Sequence, residues 1–184
     1  PSTCISYYAY KDIQKLEKFL RDKPVAEREM GAQLLQEVIG YSETSACRRT
    51  YLLNYFGEKF DKESFKKMCD NCKSPREKVS VETELQTALQ VVADLREEFK
   101  IKTLVDFVLG NETKDILDYG FSKLPTFGLG KDREPIFWTS VFSHALLNGL
   151  AKKEIEEYGI IKLTDAGRSY IKQPFAQEIP INQD

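Results

Sequence analysis

Two stretches decide the fold of the first part of this sequence: Cys47-Arg-Arg-Thr-Tyr-Leu-Leu-Asn-Tyr-Phe-Gly-Glu58 and Met68-Cys-Asp-Asn-Cys72. The first carries aromatic and aliphatic residues at helical spacing up to Gly57, which predicts a helix from about residue 45 to residue 56. The second holds a Cys-x-x-Cys knuckle, in which two thiolates can reach one ion. We therefore take Cys47, Cys69 and Cys72 as candidate zinc ligands.

The use of cysteine favours a metal over a disulfide. The 184 residues contain four cysteines, and no secretory pattern precedes them. In a reducing compartment, clustered thiols are more often metal ligands. Spacing alone still leaves open a second interpretation, in which the cysteines are buried and the pair is incidental.

Charge and hydropathy limit the possible partners. The net charge is −2, with 15 basic and 12 acidic side chains in residues 1–78 but 12 and 17 in residues 79–184. Because phosphate contacts usually leave a basic footprint, any affinity for DNA must come from local patches. No apolar run approaches the roughly 20 residues that cross a bilayer, so no membrane partner is expected.

The pattern after residue 79 predicts a winged helix. Ser80 is a plausible N-cap for a long helix that reaches about Lys100, and further helices are predicted at about 103–109, 112–119 and 132–148. Residues 150–155 and 160–164 are predicted as two strands of a hairpin, followed by a helix over 165–172. Three helices followed by a two-stranded wing are typical of the winged-helix variant of helix-turn-helix. The overall prediction is a mainly α protein.

The two opening stretches closely resemble the zinc-binding subdomain of RecQ helicases, with its Cys-Arg-Arg start, its aromatic-Gly-Glu helix end and its Cys-Asp-Asn-Cys knuckle. Downstream, Phe127-Gly-Leu-Gly-Lys131, Trp138 and residues 161–164 resemble the winged helix of that family. Upstream, residues 4–20 resemble the last strand and helix of its second motor lobe. The first residues carry neither an initiator Met nor a basic leader, so we expect a longer protein.

The resemblance divides the chain into four parts. Residues 1–22 would be the edge of the second motor lobe, 23–78 the helical zinc-binding subdomain, 79–174 the winged helix and 175–184 an exposed tail or linker. The complete protein would be a 3′-to-5′ DNA helicase of repair, recombination or replication, in the bacterial cytoplasm at the nucleoid or in a eukaryotic nucleus. It would use ATP and Mg²⁺ and would carry motor lobes upstream and a helical domain downstream.

The sequence departs from this pattern at the metal. The family usually supplies a fourth cysteine, expected near Phe65 or at Pro75, and neither residue can bind zinc. The fourth ligand is therefore left open between water, Asp70 and another oxygen donor, or the zinc is absent. The sequence also lacks the GxxxxGK[ST] phosphate loop and a paired acidic motif, so this fragment alone should be inactive as an ATPase.

Six residues are candidate DNA contacts. Arg48 and Arg49 follow the first ligand and could pair with phosphate, or with Glu43 and Asp70. Three more candidates lie around the start of the helix predicted from about residue 132, where amides and cations favour phosphate: Gly130, Lys131 and Arg133.

Tyr158 is the sixth candidate. It lies at the predicted hairpin tip, where it could stack on the terminal base pair of a fork, or be an ordinary turn residue. The expected partner is a duplex with a single-stranded tail, bound without regard to sequence. The alternatives are a winged-helix transcription regulator with a metal-sensing cluster, and a protein-interaction module without DNA binding.

Overall fold

A computed structural model describes residues 4–7, 10–21, 23–44, 46–58, 69–74, 77–154 and 157–180. The described chain is mainly helical, which confirms the predicted class. Contacts between Cα atoms divide it into two compact units, Pro1–Thr44 and Ser45–Asp184. No described helix has both the length and the apolar character needed to cross a membrane.

The first unit is a helical hairpin. Helix α1 spans Tyr10–Arg21 and helix α2 spans Val25–Glu43, with Pro24 before α2 where no backbone N–H is needed. The two helices approach closely at Gly31, where an added Cβ would lie 2.4 Å from a methyl group of Leu20. The strand predicted from residue 4 is wrong over residues 4–7, which have no regular structure; residues 8 and 9 lie outside the described residues.

The second unit begins with the segment that carries the thiols. Helix α3 spans Arg48–Tyr55 and the single turn α4 spans Asp70–Lys73. As predicted, Gly57 follows the end of α3, with a φ of +75° that favours glycine. The Asn54 side-chain amide donates to the Leu146 carbonyl at 3.4 Å, so α3 contacts the following domain.

The remaining elements form a winged helix. They are β1 (Lys78–Ser80), α5 (Glu82–Asp94), α6 (Ile101–Leu109), α7 (Lys114–Asp118), a 3₁₀ turn (Phe121–Lys123), α8 (Pro135–Leu147), β2 (Ala151–Glu154), β3 (Ile160–Leu163), α9 (Asp165–Lys172) and β4 (Glu178–Pro180). Helices α5, α6 and α8 bury their apolar faces in one core, in which Leu85, Phe107 and Phe142 have 2% exposure or less. Strands β2 and β3 pair antiparallel, with Ala151 opposite Leu163, and form the wing.

Helix α5 is shorter than predicted. It ends at Asp94 rather than near Lys100, because Arg96 and Glu97 adopt φ values of +60° and +61°. Two successive left-handed residues cannot continue a right-handed helix. The chain then extends along β3, where the Ile161 amide donates to the Phe99 carbonyl at 3.0 Å.

The exposed tail predicted for residues 175–184 is wrong over β4. This strand pairs antiparallel with β1, with Val79 opposite Ile179, and Ile179 is buried in the core. The local sequence around Ile179 gives no signal for this pairing, because the partner strand lies at the other end of the domain. The domain is therefore closed by its own first and last strands.

Candidate metal centre and nucleic-acid interface

The three candidate zinc ligands lie together in space. Cys47 is the N-cap of α3, Cys69 is the N-cap of α4 and Cys72 lies within α4. Their Sγ atoms all lie within 4.8 Å of one another, and all three side chains are partly buried. Cys4, in the other unit, is exposed. The short turn α4 brings both cysteines of the knuckle to the same side as the start of α3.

Two hydrogen-bonded links join the knuckle to the residues on either side of Cys47. Arg48 donates from Nε to Asp70 Oδ1 at 2.8 Å and from Nη2 to Oδ2 at 2.9 Å. Asn71 Nδ2 donates to the Ala46 carbonyl at 2.7 Å. Both residues inside the knuckle therefore hold the chain around the first ligand, independently of any metal–sulfur bond.

The surroundings shift the pKa values of the Cys47 and Cys72 thiols in opposite directions. Burial acts against ionisation of Cys47, but hydrogen bonds from the Thr50 and Arg49 amides and from Cys72 lower the pKa of its thiol to about 7. The start of a helix supports this lower pKa, since its amides stabilise a thiolate. Burial, together with hydrogen bonds and charge from Cys69 and Cys47, raises the pKa of Cys72 to about 12. A cation bound among the three sulfurs would stabilise the thiolate of Cys72.

These donors fit zinc, which takes thiolates in structural sites. Among the described Cys, His, Asp and Glu side chains, only these three gather into one possible metal-binding group. Asp70 is held by Arg48, which lowers the pKa of its carboxyl, and it is outside the group. Zinc would therefore be held by Cys47, Cys69 and Cys72, and would tie α3 to the knuckle. Residues 65 and 75, where a fourth cysteine was expected, lie outside the described residues.

Arg48, the first of the two arginines after Cys47, is engaged within the knuckle. The guanidinium of Arg48 binds Asp70, the structural alternative of the two that the sequence left open, and its side chain is only 22% exposed. Arg49 follows in the same turn of α3 and is half-buried. The knuckle thus uses the side chain of Arg48 in the fold itself.

The expected role of Gly130 as a phosphate-binding amide is wrong. Gly130 is buried, its amide donates to the Val108 carbonyl at 2.8 Å, and its carbonyl accepts from Trp138 Nε1 at 2.9 Å. An added Cβ would lie 2.2 Å from the Trp138 ring. This glycine therefore gives the indole room to pack. Helix α8 also begins later than predicted, at Pro135, with Glu134 as its N-cap.

The two cations of this loop are not equivalent. Arg133 lies 3.4 Å from a carboxylate oxygen of Glu84, and its guanidinium covers the Phe137 ring at 4.9 Å from the centroid. Lys131 is exposed, and none of the ion pairs between described residues involves it. Lys131 is therefore the cation of this loop that is available to an external anion.

Tyr158 lies at the turn of the wing between β2 and β3. Its φ is +58°, a left-handed value, and the residue is 39% exposed. Lys100 Nζ lies 5.9 Å from its ring centroid. Beside it, Glu157 accepts a hydrogen bond from Lys162 at 2.6 Å. The charge of Lys162 therefore offsets that of one of the two glutamates that precede Tyr158 in the sequence. Glu156 lies outside the described residues.

The base of the wing is fixed by a residue that the sequence did not indicate. The carboxylate of Glu97 accepts from the Leu163 amide at 2.9 Å and also binds Arg168 of α9. No sequence pattern predicts a left-handed glutamate, so only the three-dimensional packing reveals this contact. Glu97 and the Phe99 carbonyl together satisfy two amides along the outer edge of β3.

The fold and the thiol cluster define a winged-helix protein with a cysteine metal centre. A family model described as the RQC domain matches residues 75–184, and one described as RecQ zinc-binding matches residues 10–73. The chain therefore belongs to the RecQ family, of which it carries the zinc-binding and RQC regions. The match of the first model begins at residue 75 and that of the second ends at residue 73.

Curated relatives agree with this family. The ATP-dependent DNA helicase RecQ of Pasteurella multocida is 26% identical over 98% of this chain, and that of Haemophilus influenzae is 27% identical over 94%. The protein of the same name from Bacillus subtilis is 32% identical over 71% of the chain. The chain spans 29%, 28% and 22% of the lengths of these relatives.

Proposed function

We propose that this chain is the DNA-binding region of an ATP-dependent 3′-to-5′ DNA helicase that acts in repair, recombination or replication. In this proposal the winged helix holds duplex DNA beside a fork, and the zinc-binding part joins it to motor lobes that bind ATP and Mg²⁺. The fragment lacks a phosphate loop and would not hydrolyse ATP alone. The site of action would be the bacterial nucleoid or, in a eukaryote, the nucleus.

The observation that carries the proposal is the wing with its exposed tip. Tyr158 presents an aromatic ring at the end of a two-stranded ribbon, and Glu97 and Phe99 hold the outer edge of that ribbon. A ring in this position can stack on the last base pair of a duplex and hinder re-annealing, while the motor pulls one strand away.

Contacts with the duplex itself would come from backbone recognition. Lys131 is exposed before α8 and would neutralise a phosphate, with Arg133 as a second contact if it leaves Glu84. Arg49 remains a candidate at the start of α3. Since a helicase must engage every sequence that it meets, these contacts are expected to follow phosphates and not base edges.

The test of duplex binding is a salt series with the fragment and a duplex that carries a 3′ single-stranded tail. Lys131→Glu is expected to weaken binding to duplexes of any sequence and to reduce the slope of log K against log salt by about 0.9 for each phosphate that the variant no longer neutralises. The matched control is Lys18→Glu, which makes the same change of charge on an exposed residue of α1. Equal weakening by both variants, or by neither, would contradict the proposed surface.

The test of strand separation uses the full-length enzyme. Tyr158→Ala is expected to slow unwinding while DNA-stimulated ATP hydrolysis continues, because the ring acts on the base pair and not on the motor. The control is Tyr158→Phe, which keeps the ring and should unwind normally. If Tyr158→Ala unwinds at the parental rate, the tyrosine is only a turn residue.

The same titration separates the other two functions considered. A preference for one palindromic site would favour a transcription regulator, and no DNA binding at low salt would favour a protein-interaction module.

A further inference from the structure

Three aromatic rings form a cluster outside the wing, here termed the Tyr119 platform: Phe99, Tyr119 and Phe121. Tyr119 stacks on Phe121 with centroids 5.4 Å apart and ring planes 8° from parallel. Phe99 meets both rings edge to face at 5.6 Å. Phe121 is buried, whereas Tyr119 is 53% exposed. The platform is thus a stack whose inner ring belongs to the core and whose outer ring lies at the surface.

Two cations adjoin the Tyr119 platform. The Arg96 guanidinium lies 5.8 Å from the Phe121 centroid, and Lys100, next to Phe99 in the chain, reaches the ring of Tyr158. Both are exposed, and neither forms an ion pair with another described residue. The intervening Glu97 does not neutralise them, because its carboxylate is bound by Arg168 and by the Leu163 amide.

The segment that carries these cations is held in place. Arg96 and Glu97 have left-handed φ values, which non-glycine residues adopt only when their surroundings impose them. Here the contacts of Glu97 and Phe99 with β3 impose them. Phe99 contacts Tyr119 and the adjacent Lys100 contacts Tyr158, so one short segment joins the platform to the tip of the wing.

We propose that the Tyr119 platform binds an unpaired base of single-stranded DNA, whose flanking phosphates lie against Arg96 and Lys100. The proposal rests on the proposed function and extends it, since it assigns a single-strand site next to the wing. A flat exposed ring over a rigid second ring suits a nucleobase of any kind, and adjacent exposed cations suit the backbone that carries it. Exposed Glu98 and Asp118 nearby limit the positive field, so stacking is expected to supply most of the affinity.

The test measures binding of the zinc-loaded chain to a fluorescent oligothymidylate by polarisation. Tyr119→Ala is expected to weaken binding by roughly 5- to 150-fold, the contribution of one stacked base. Tyr119→Phe keeps the ring and should bind like the parent. The matched control is Leu117→Ala, which removes a neighbouring side chain that is 50% exposed and lies outside the platform. Arg96→Ala with Lys100→Ala should lower the salt slope by about 1.4, for two phosphates on a single strand.

A blunt duplex separates this proposal from the proposed function. Tyr119→Ala should bind the blunt duplex like the parent, whereas Lys131→Glu should not. Thermal unfolding of each variant establishes that it is folded. Three results would overturn the proposed single-strand site, even if Lys131 is found to bind duplex DNA. They are oligothymidylate binding by Tyr119→Ala equal to that of the parent, an equal weakening in Leu117→Ala, and no binding by the parent chain. Weaker oligothymidylate binding confined to Tyr119→Ala and the cation variants supports it.

Discussion

Replacing Asp70 with alanine tests whether contacts outside the thiolates prepare the metal centre. Asp70 holds Arg48, the residue after Cys47, and Asn71 holds the carbonyl of Ala46, the residue before it. The substitution removes one of these two links and leaves every sulfur in place. Without the link, the start of α3 is freer to move from the knuckle, so zinc must restrict more of the chain when it binds.

The size of the effect follows from geometry and exposure. The Arg48–Asp70 pair is forked, but the Asp70 side chain is 64% exposed. Solvent screening limits exposed pairs to about 0–1 kcal/mol, and the fork puts this pair near the upper end. The Asn71 contact contributes about 1 kcal/mol more. Zinc binding should therefore weaken about fivefold in Asp70→Ala, and about 30-fold when Asn71→Ala is added.

The pH sets when this link operates. Arg48 lowers the pKa of the Asp70 carboxyl below its ordinary value of 3.8, so the carboxylate is favoured in the folded chain. A lowered carboxyl pKa adds stability above the unfolded value, and that stability is lost only as the pH falls through the folded value. At neutral pH the link is fully charged, and measurements there report its whole contribution.

The assay is competition for zinc between each variant and a chromophoric chelator at neutral pH. Lys73→Ala, which changes an exposed residue directly after Cys72, is the control and should bind zinc like the parent. Circular dichroism of each variant excludes general unfolding. Parental zinc affinity in both Asp70→Ala and the double variant would refute the reasoning, because the sulfurs would then converge without help.

Three further outcomes are expected. The slope of log zinc affinity against pH should be larger by about one below pH 7 than above it. Cys47, with a pKa of about 7, must release an additional proton below that pH, whereas Cys72, with a pKa of about 12, releases one throughout. A constant slope in a chelator titration from pH 6 to about 8 would contradict this. Gly130→Ala should lower the free energy of unfolding by about 2 to 4 kcal/mol through overlap with Trp138 and disruption of its hydrogen bond, as measured by urea denaturation. Ile179→Ala should cost about 2–5 kcal/mol in the same assay, and a stability equal to that of the parent would mean that β4 does not contribute to the core.

Much of the fold could be predicted from local signals. Gly57, Gly110 and Gly149 end or follow helices with left-handed φ, and helix α9 begins and ends where the sequence placed it. The Thr164 hydroxyl caps α9 by accepting from the Gly167 amide at 3.1 Å. Such signals depend only on the residue itself and its nearest neighbours, so they can be recognised from the sequence alone.

The incorrect predictions concern features that depend on contacts between residues far apart in the sequence. The early end of α5 depends on what Glu97 binds in β3 and α9, and the strand at Ile179 depends on Val79. For Gly130, the sequence suggested an exposed amide, whereas the Val108 carbonyl takes it. In the candidate site, spacing together with the family resemblance indicated the three cysteines. The sequence did not indicate the Tyr119 platform, since its rings come from separate segments.

The pairing of β1 with β4 determines how the winged helix is inserted in the chain. Lys78 lies opposite Pro180, so the backbone enters and leaves the domain through neighbouring positions, about 5 Å apart across an antiparallel ladder. The distance between the two ends of the domain is therefore short, although about a hundred residues lie between them. The domain could be excised and its ends rejoined through a short turn, as a removable insert. Tension on the two ends of this ladder would act first on the pair Lys78–Pro180 and next on Val79–Ile179, so it would reach the core at the second pair.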